Sequence, residues 1–268
     1  MNSHVTGEIR ERYGYRTYSR PAERDTMDTL NGEWVMKGCG GNDPGRLRSP
    51  EDLLKLIGEI GFLPLFSNDI AGFSVEERTP AGDWWTDSPS DPWAWRQVLA
   101  CSESAAYGKF FDKKAGFVSK EWFPDFANFR RDGYDWEGLY EDGKMKYRNR
   151  QILEALEPDA LAVGLELLTC DLKKKAAVTK GFEGAVTELQ MQTFLIMGGF
   201  RQKVNKQGAA YGWHVAVLMT PETKWGCDFV NGYTGRPEDA WNRIRGQVKR
   251  FFPDAGETEI RKVLGIRR

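Results

Sequence analysis

The chemistry open to this 268-residue chain is bounded first by scarcity. It has two histidines, His4 and His214, and four cysteines, Cys39, Cys101, Cys170 and Cys227. A Ser-His-Asp triad, a Cys-His pair or a histidine-rich metal site would each have to run through His214, because His4 lies at the chain end. His214 stands alone in an apolar run and reads as a strand histidine. No two cysteines are close, so no zinc spacing exists and the thiols read as core residues. No GxxxxGK motif followed by Ser or Thr is present, and no glycine-rich dinucleotide turn in a βαβ setting. No metal and no cofactor is therefore expected. What remains is water activation by a carboxylate or an amide, or electrostatic binding without catalysis.

Two groups of residues carry such chemistry. Glu76, Glu77, Asp83 and Asp87 lie near Phe73, Trp84 and Trp85. Aromatic walls desolvate a carboxylate and raise its pKa toward the range of a general acid or base. Glu76 and Glu77 fall on opposite faces of an extended segment, so one of them at most serves. The same residues also suit a plain core with a solvated rim. The second group is basic: Lys173, Lys174 and Lys175, then Arg201, Lys203 and Lys206 in a segment without an acid. Such clusters fit phosphates. The balance of 38 Lys+Arg against 39 Asp+Glu is thus an average over an acidic half and a basic half.

The elements that must position these residues follow from caps and periodicity. Residues 1–26 form an arm rich in Arg and Tyr, with a helix over Thr26–Lys37. Ser49-Pro50-Glu51-Asp52 caps a helix that Gly61 ends. Asp91-Pro92 caps a second. Residues 105–119 form a hairpin turning at Asp112–Lys114, and a helix follows Ser119 with a kink or late start at Pro124. Helices are expected over 147–157, 159–176 and 182–190, the second with Leu161, Leu165, Leu168 and Leu172 as its apolar stripe. A hairpin of long strands with a basic tip at Asn205–Gly208 comes next. One or two basic amphipathic helices close the chain. The parts divide as 1–48, an acidic aromatic α+β region over 49–143, and 144–268. The whole reads as an α+β chain, mostly helical with short β-hairpins.

Three helices followed by a hairpin is the order of a winged helix. The third helix would enter a DNA groove and the hairpin would lie against the backbone. A protein-docking or transcription-regulating module without catalysis would have the same order. No apolar run approaches the length of a membrane span and no signal peptide precedes the charged N-terminus, so a cytoplasmic protein is expected.

The segments GFLPLFSNDIAGFSVEE, WWTDSPSDPWAWRQVLA, AYGKFFDKKAGFVSKEWFP and GFEGAVTELQMQTFLIMGGFRQKVNKQGAAYGWHVAVLMTPE resemble a bacterial family described as AlkZ-related. That family takes its name from the AlkZ-type winged-helix DNA glycosylases. The resemblance covers most of residues 50–250 and implies winged-helix architecture, DNA as partner and hydrolysis of the N-glycosidic bond of a damaged base. The chain has room for two winged helices, and no barrel like that of the glycosylases is evident. Those glycosylases use a Gln-hydrophobic-Gln motif to position water, and Gln190-Met191-Gln192 has its spelling, although much later in the chain than theirs. Two amides at i and i+2 share a face on an extended segment but lie about 200° apart on a helix. The residues alternate Leu189, Met191 against Gln190, Gln192, which places a helix-to-strand junction there. On this resemblance Gln190, Gln192 and Glu77 are catalytic candidates, Trp84 and Trp85 are base-stacking candidates, and the lysines and Arg201 hold phosphates.

Overall fold

The computed structural model describes residues 29–30, 33–34, 36–157 and 164–265. The arm over 1–26, His4 and Leu161 lie outside them. Two strands, β1 (Thr29–Leu30) and β2 (Glu33–Trp34), pair antiparallel where a helix was expected. The sequence between them is Asn31-Gly32, the pair that most favours a two-residue hairpin, and it outweighs the helical spacing.

Helix α1 (Pro50–Ile60) starts as its sequence dictates. The Ser49 hydroxyl accepts the Asp52 N–H, and Gly61 ends the helix at φ +96°. A side chain at Gly61 would also strike the Trp122 ring, 2.5 Å away. Strand β3 (Phe62–Pro64) follows. The chain then makes two single 3-10 turns, Glu76–Arg78 and Ala81–Asp83. Asp91 caps α2 (Pro92–Ala100), which leads into β4 (Ala105–Phe111) and β5 (Lys114–Ser119). Their turn is Asp112-Lys113, with φ of 46° and 68°. Both residues are left-handed, as a tight primed hairpin turn requires. Helix α3 (Phe123–Arg131) starts late, with Pro124 in its first turn, and α4 (Trp136–Glu141) follows.

The second half holds α5 (Tyr147–Leu156), β6 (Leu167–Leu168), α6 (Thr169–Lys175), α7 (Phe182–Met191), β7 (Ile196–Val204) and β8 (Ala210–Met219). Of the helix expected over 159–176, residues 159–163 lie outside the described ones, 164–168 are not helical, and a helix runs over Thr169–Lys175. Leu167 and Leu168 instead pair with Leu218 and Val217 as an edge strand. Two short helices that the sequence reading missed come next, α8 (Pro221–Trp225), capped by Thr220, and α9 (Cys227–Val230). The chain closes with α10 (Pro237–Phe251) and α11 (Glu257–Leu264).

Both hairpins belong to one antiparallel sheet of order β3-β5-β4-β7-β8-β6. Its fold class is α+β, and strands β7 and β8, of 9 and 10 residues, form the hairpin of long strands expected there. Each half repeats one order: helix, strand, intervening segment, helix, hairpin. In each, the leading strand pairs with the last strand of the hairpin, β3 with β5 and β6 with β8. The halves meet at the register pair Tyr107↔Met197. The sheet therefore reads the same from both edges.

Two apolar cores lie on this sheet. One joins α1, β3, α2, β4, β5 and α3 to α10 and α11, and absorbs most of the aromatic load. Phe62, Phe73, Phe110, Phe117, Phe123 and Phe126 are fully buried there. Their rings meet edge to face, as in Phe62–Phe126 at 4.9 Å. The other core belongs to α4–α7 and the strand residue Leu218. The joint between halves is polar and specific. Arg130, 4% exposed, donates to the carbonyls of Phe110 (2.6 Å), Met191 (3.1 Å) and Leu264 (3.2 Å). It thereby satisfies the last carbonyls of α7 and α11. Burial pushes its pKa down to about 9, so the guanidinium stays charged at neutral pH. Among the described residues, no helix is long and apolar enough to cross a membrane.

Candidate nucleic-acid interface

The β7/β8 hairpin leaves the body of the protein after Phe200. Inward of that point the ladder is packed; outward, nearly every residue from Arg201 to Gly212 is exposed or half-exposed. The tip is ordered by Asn205. Its Oδ1 accepts the N–H of Gln207 (3.0 Å) and of Ala209 (2.9 Å), and its own N–H donates to the Ala209 carbonyl (2.9 Å). Gly208 sits at φ +80°, where a side chain would be strained. Gln202 Nε2 donates to the Gly212 carbonyl at 2.9 Å and ties the two strands where the ladder bulges between Arg201 and Lys203. The result is a stiff ribbon presenting Arg201, Lys203 and Lys206. Arg201 is held by Glu166 at 2.6 Å, so an incoming phosphate must compete with that carboxylate. Among the described residues, Lys203 and Lys206 have no ion-pair partner.

The other lysine cluster is less available. Lys173 pairs with Glu183 at 2.9 Å and Lys174 lies 3.8 Å from Asp171; Lys175 is exposed. Helix α7, expected to enter a groove, exposes Glu183 and Gly184 and half-exposes Thr187 and Glu188. Glu188 is bridged by Lys146 at 2.8 Å. Its outward face therefore carries acids neutralised by ion pairs, not free cations.

The acidic aromatic segment is tightly bonded. Trp84 is 4% exposed and its Nε1 donates to Thr79 Oγ1 at 2.9 Å. Trp85 is half-buried at φ 57°, with its backbone N–H donating to Asp91 Oδ1 at 3.0 Å. Phe66, Trp84, Trp85 and Trp93 make a chain of rings 5.7 to 6.4 Å apart. Glu77 accepts from the Gly72 N–H (2.9 Å) and from Ser74 Oγ (2.6 Å). Buried Glu76 accepts from the N–H groups of Lys37 (2.7 Å) and Ser67 (2.9 Å). Both carboxylates thus staple loop backbone.

Gln190 and Gln192 do not lie on an extended segment. Gln190 is in the last turn of α7 and Gln192 is its cap, at φ −84° and ψ 1°. Thr193 then turns left-handed at φ 64°, and the N–H of Phe194 closes on the Leu189 carbonyl at 2.9 Å. Local capping wins over the apolar alternation and keeps the amides on different faces. Gln190 is 1% exposed, and its Oε1 accepts the Lys109 N–H at 2.6 Å across the joint. Gln190 Nε2 and Gln192 Oε1 are buried without a hydrogen-bond partner among the described residues. Gln190 and Glu77 share no bonding partner, so these candidates are not brought together by a common contact.

Sequence reasoning missed the residues that join α2 to the hairpin base. The Arg96 guanidinium lies 3.7 Å from the Trp93 ring and 4.2 Å from the Phe200 ring. Burial raises the Tyr107 hydroxyl pKa, against the opposing charge and hydrogen bond of Arg96. Burial, then the Arg96 charge, lowers the pKa of the half-buried His214. Trp93 and Arg96 at i and i+3 on a capped helix were the available signal. A cavity of about 310 Å³ lies elsewhere, lined by Asn128, Arg131, Tyr134, Asp135, Asn231 and Tyr233 among others. It includes none of the expected site residues. Its cation is already engaged: Arg131 donates to Glu222 (2.6 Å), Asn231 (3.3 Å) and the Thr193 carbonyl (2.8 Å).

Fold and interface together define an α+β protein built on one six-stranded sheet with a projecting basic hairpin. The chain belongs to the AlkZ-related family, whose sequence pattern matches residues 47–265. Among solved structures it is similar to the DNA glycosylase AlkZ of Streptomyces sahachiroi, at 11% identity and a TM-score of 0.40. The match covers 82% of this chain and 60% of that one. No curated protein matches the sequence.

Proposed function

We propose that the protein binds duplex DNA through the β7/β8 hairpin, and that residues 147–219 form a winged-helix module with this hairpin as its wing. The order helix, strand, two helices and hairpin, with β6 on β8, supports that reading. Residues 50–119 form a second, degenerate module with the same pairing order. The single observation that carries the DNA reading is the exposed, internally bonded ribbon whose Lys203 and Lys206 have no ion-pair partner among the described residues. The outward face of α7 is acidic, so the wing and not the third helix makes the main contact. Lys173, Lys174 and Lys175 contribute at most a secondary contact, because two of the three are engaged by acids. The protein acts as a soluble cytoplasmic factor.

The test is fluorescence anisotropy with a labelled duplex. Binding weakens steeply with salt, because each phosphate contact releases counterions. Replacing Lys203 or Lys206 by Ala lowers the salt slope by about one. No binding at 50 mM salt sinks the reading.

Hydrolysis of the N-glycosidic bond of a damaged base is the finer reading. Family membership and the unpartnered amide atoms of Gln190 and Gln192 support it. The packing of Trp84 and the stapling role of Glu77 favour the other reading, a binding module without catalysis. Release of a free base from N7-alkylguanine DNA by the wild-type protein, abolished by Gln192→Ala, separates the two. Absence of product leaves binding alone.

A further inference from the structure

The hairpin tip carries a feature that phosphate binding does not require. Tyr211 is 52% exposed and Val204 is 61% exposed, two of the most exposed large apolar side chains described. They are neighbours in the ladder but lie on opposite faces of the ribbon: Lys203 pairs with Tyr211, and Val204 with Ala210. A two-stranded ribbon this far from the body has no core for either face to bury. Yet the tip is held rigid by Asn205 and Gly208, so the apolar groups are presented in a fixed geometry. Four residues of each strand, Arg201–Val204 on one side, give a reach of about 13 Å, against a minor groove about 7.5 Å deep. No acid lies between Arg201 and Ala216.

We propose that this tip is a wedge that enters DNA at a weakened base step. Tyr211 stacks on the exposed base and Val204 fills the other side of the gap. Lys203 and Lys206 grip the flanking phosphates. The inference rests on the DNA-binding reading above. The physical basis is that apolar wedges inserted from the minor groove offset the cost of unstacking, and that cost is least where pairing is already poor. The charge on either side of the apolar pair matches a polyanion, and the aromatic between the lysines matches a base.

The experiment compares two labelled duplexes that differ by one central mismatch, with 2-aminopurine beside it. The wild-type protein binds the mismatched duplex about tenfold more tightly, and 2-aminopurine fluorescence rises as its stacking is lost. Tyr211→Ala abolishes both effects, keeps the salt slope and keeps the wild-type melting temperature; Tyr211→Phe retains both effects. Equal binding of the two duplexes, or a Tyr211→Ala variant that behaves as wild type, overturns the wedge and leaves DNA binding standing. No binding to either duplex overturns the DNA reading itself. A dimer that dissolves on Tyr211→Ala overturns the wedge in favour of contact between copies of this chain.

Discussion

The two halves of the sheet are built on one pattern and differ in what became of the hairpin. In residues 50–119 the hairpin turns in two residues at Asp112-Lys113, and most of β4 and β5 is buried. Phe110, Phe111 and Phe117 face a core that α3, α10 and α11 complete. In residues 147–219 the same hairpin runs on past its packing, turns through Asn205–Ala209, and carries lysines and a tyrosine into solvent. One copy of the pattern has been absorbed as scaffold and the other left exposed to solvent. The acidic aromatic segment belongs to the absorbed copy, which explains why its tryptophans pack and its glutamates staple loops.

The sharpest way to break this comparison is to truncate one aromatic in each hairpin. Phe117→Ala removes a fully buried ring and is expected to cost about 3–5 kcal/mol of stability. Tyr211→Ala is expected to change stability by less than about 0.5 kcal/mol, as for an exposed surface site. Urea denaturation of both variants measures the difference. A Tyr211→Ala loss as large as that of Phe117→Ala would mean that the ribbon packs on something, and the division into scaffold and binding hairpin would fail.

The next effect lies at the joint. Gln190→Ala leaves the half-buried Lys109 N–H without its acceptor, an expected cost of about 1–3 kcal/mol. Gln192→Ala touches no bond across the halves and costs less. A catalytic role for the pair predicts the reverse emphasis, with activity lost in both variants at unchanged stability. Measuring melting temperature and base release on the same samples decides which residue is structural.

The legibility of the sequence divides along the same lines. Ser49, Asp91, Pro124 and Pro237 announced their helices because capping is settled within one turn. Both hairpins were readable from their turns. The pairing of Leu167 and Leu168 was not, because their partners lie about fifty residues on and leucines at helical spacing suit a helix equally well. The joint was invisible for the same reason: the Gln190–Lys109 bond spans 81 positions. Of the site, the basic hairpin was legible as a run of cations without acids. The burial of Trp84, the ion pairs on Lys173 and Lys174, and the exposed Tyr211 depend on what the fold places nearby.

A smaller effect tests the stiffness of the free hairpin. Gly208→Ala meets no atom within 4 Å but forces an alanine to φ +80°, an expected cost of about 1 kcal/mol. Gly108→Ala, at an ordinary φ in the absorbed half, meets Phe110 Cζ at 2.8 Å. The first variant is expected to weaken DNA binding more than it lowers the melting temperature. The second does the opposite. Equal loss of both properties in either variant would show that the two hairpins are coupled.

A pH-dependent effect, absent at neutral pH, concerns the strap beneath the joint. Lys224, just after β8, donates from Nζ to the carbonyls of Ala100 (3.0 Å) and Ala105 (2.9 Å) in the other half. Burial pushes its pKa down to about 8 from 10.5. Between those values the unfolded chain holds a proton that the folded chain has released, so this group makes stability rise with pH through that window. Below pH 8 both states are protonated and the cost of burying the ammonium is present in full. Lys224→Met removes the titration. Urea midpoints at pH 7 and pH 9.5 should therefore show the wild type gaining on the variant by roughly 0.7 M or more, the midpoint equivalent of about 2 kcal/mol. A constant gap would mean that Lys224 stays charged and solvated, and that the two halves are held at this point by the sheet alone.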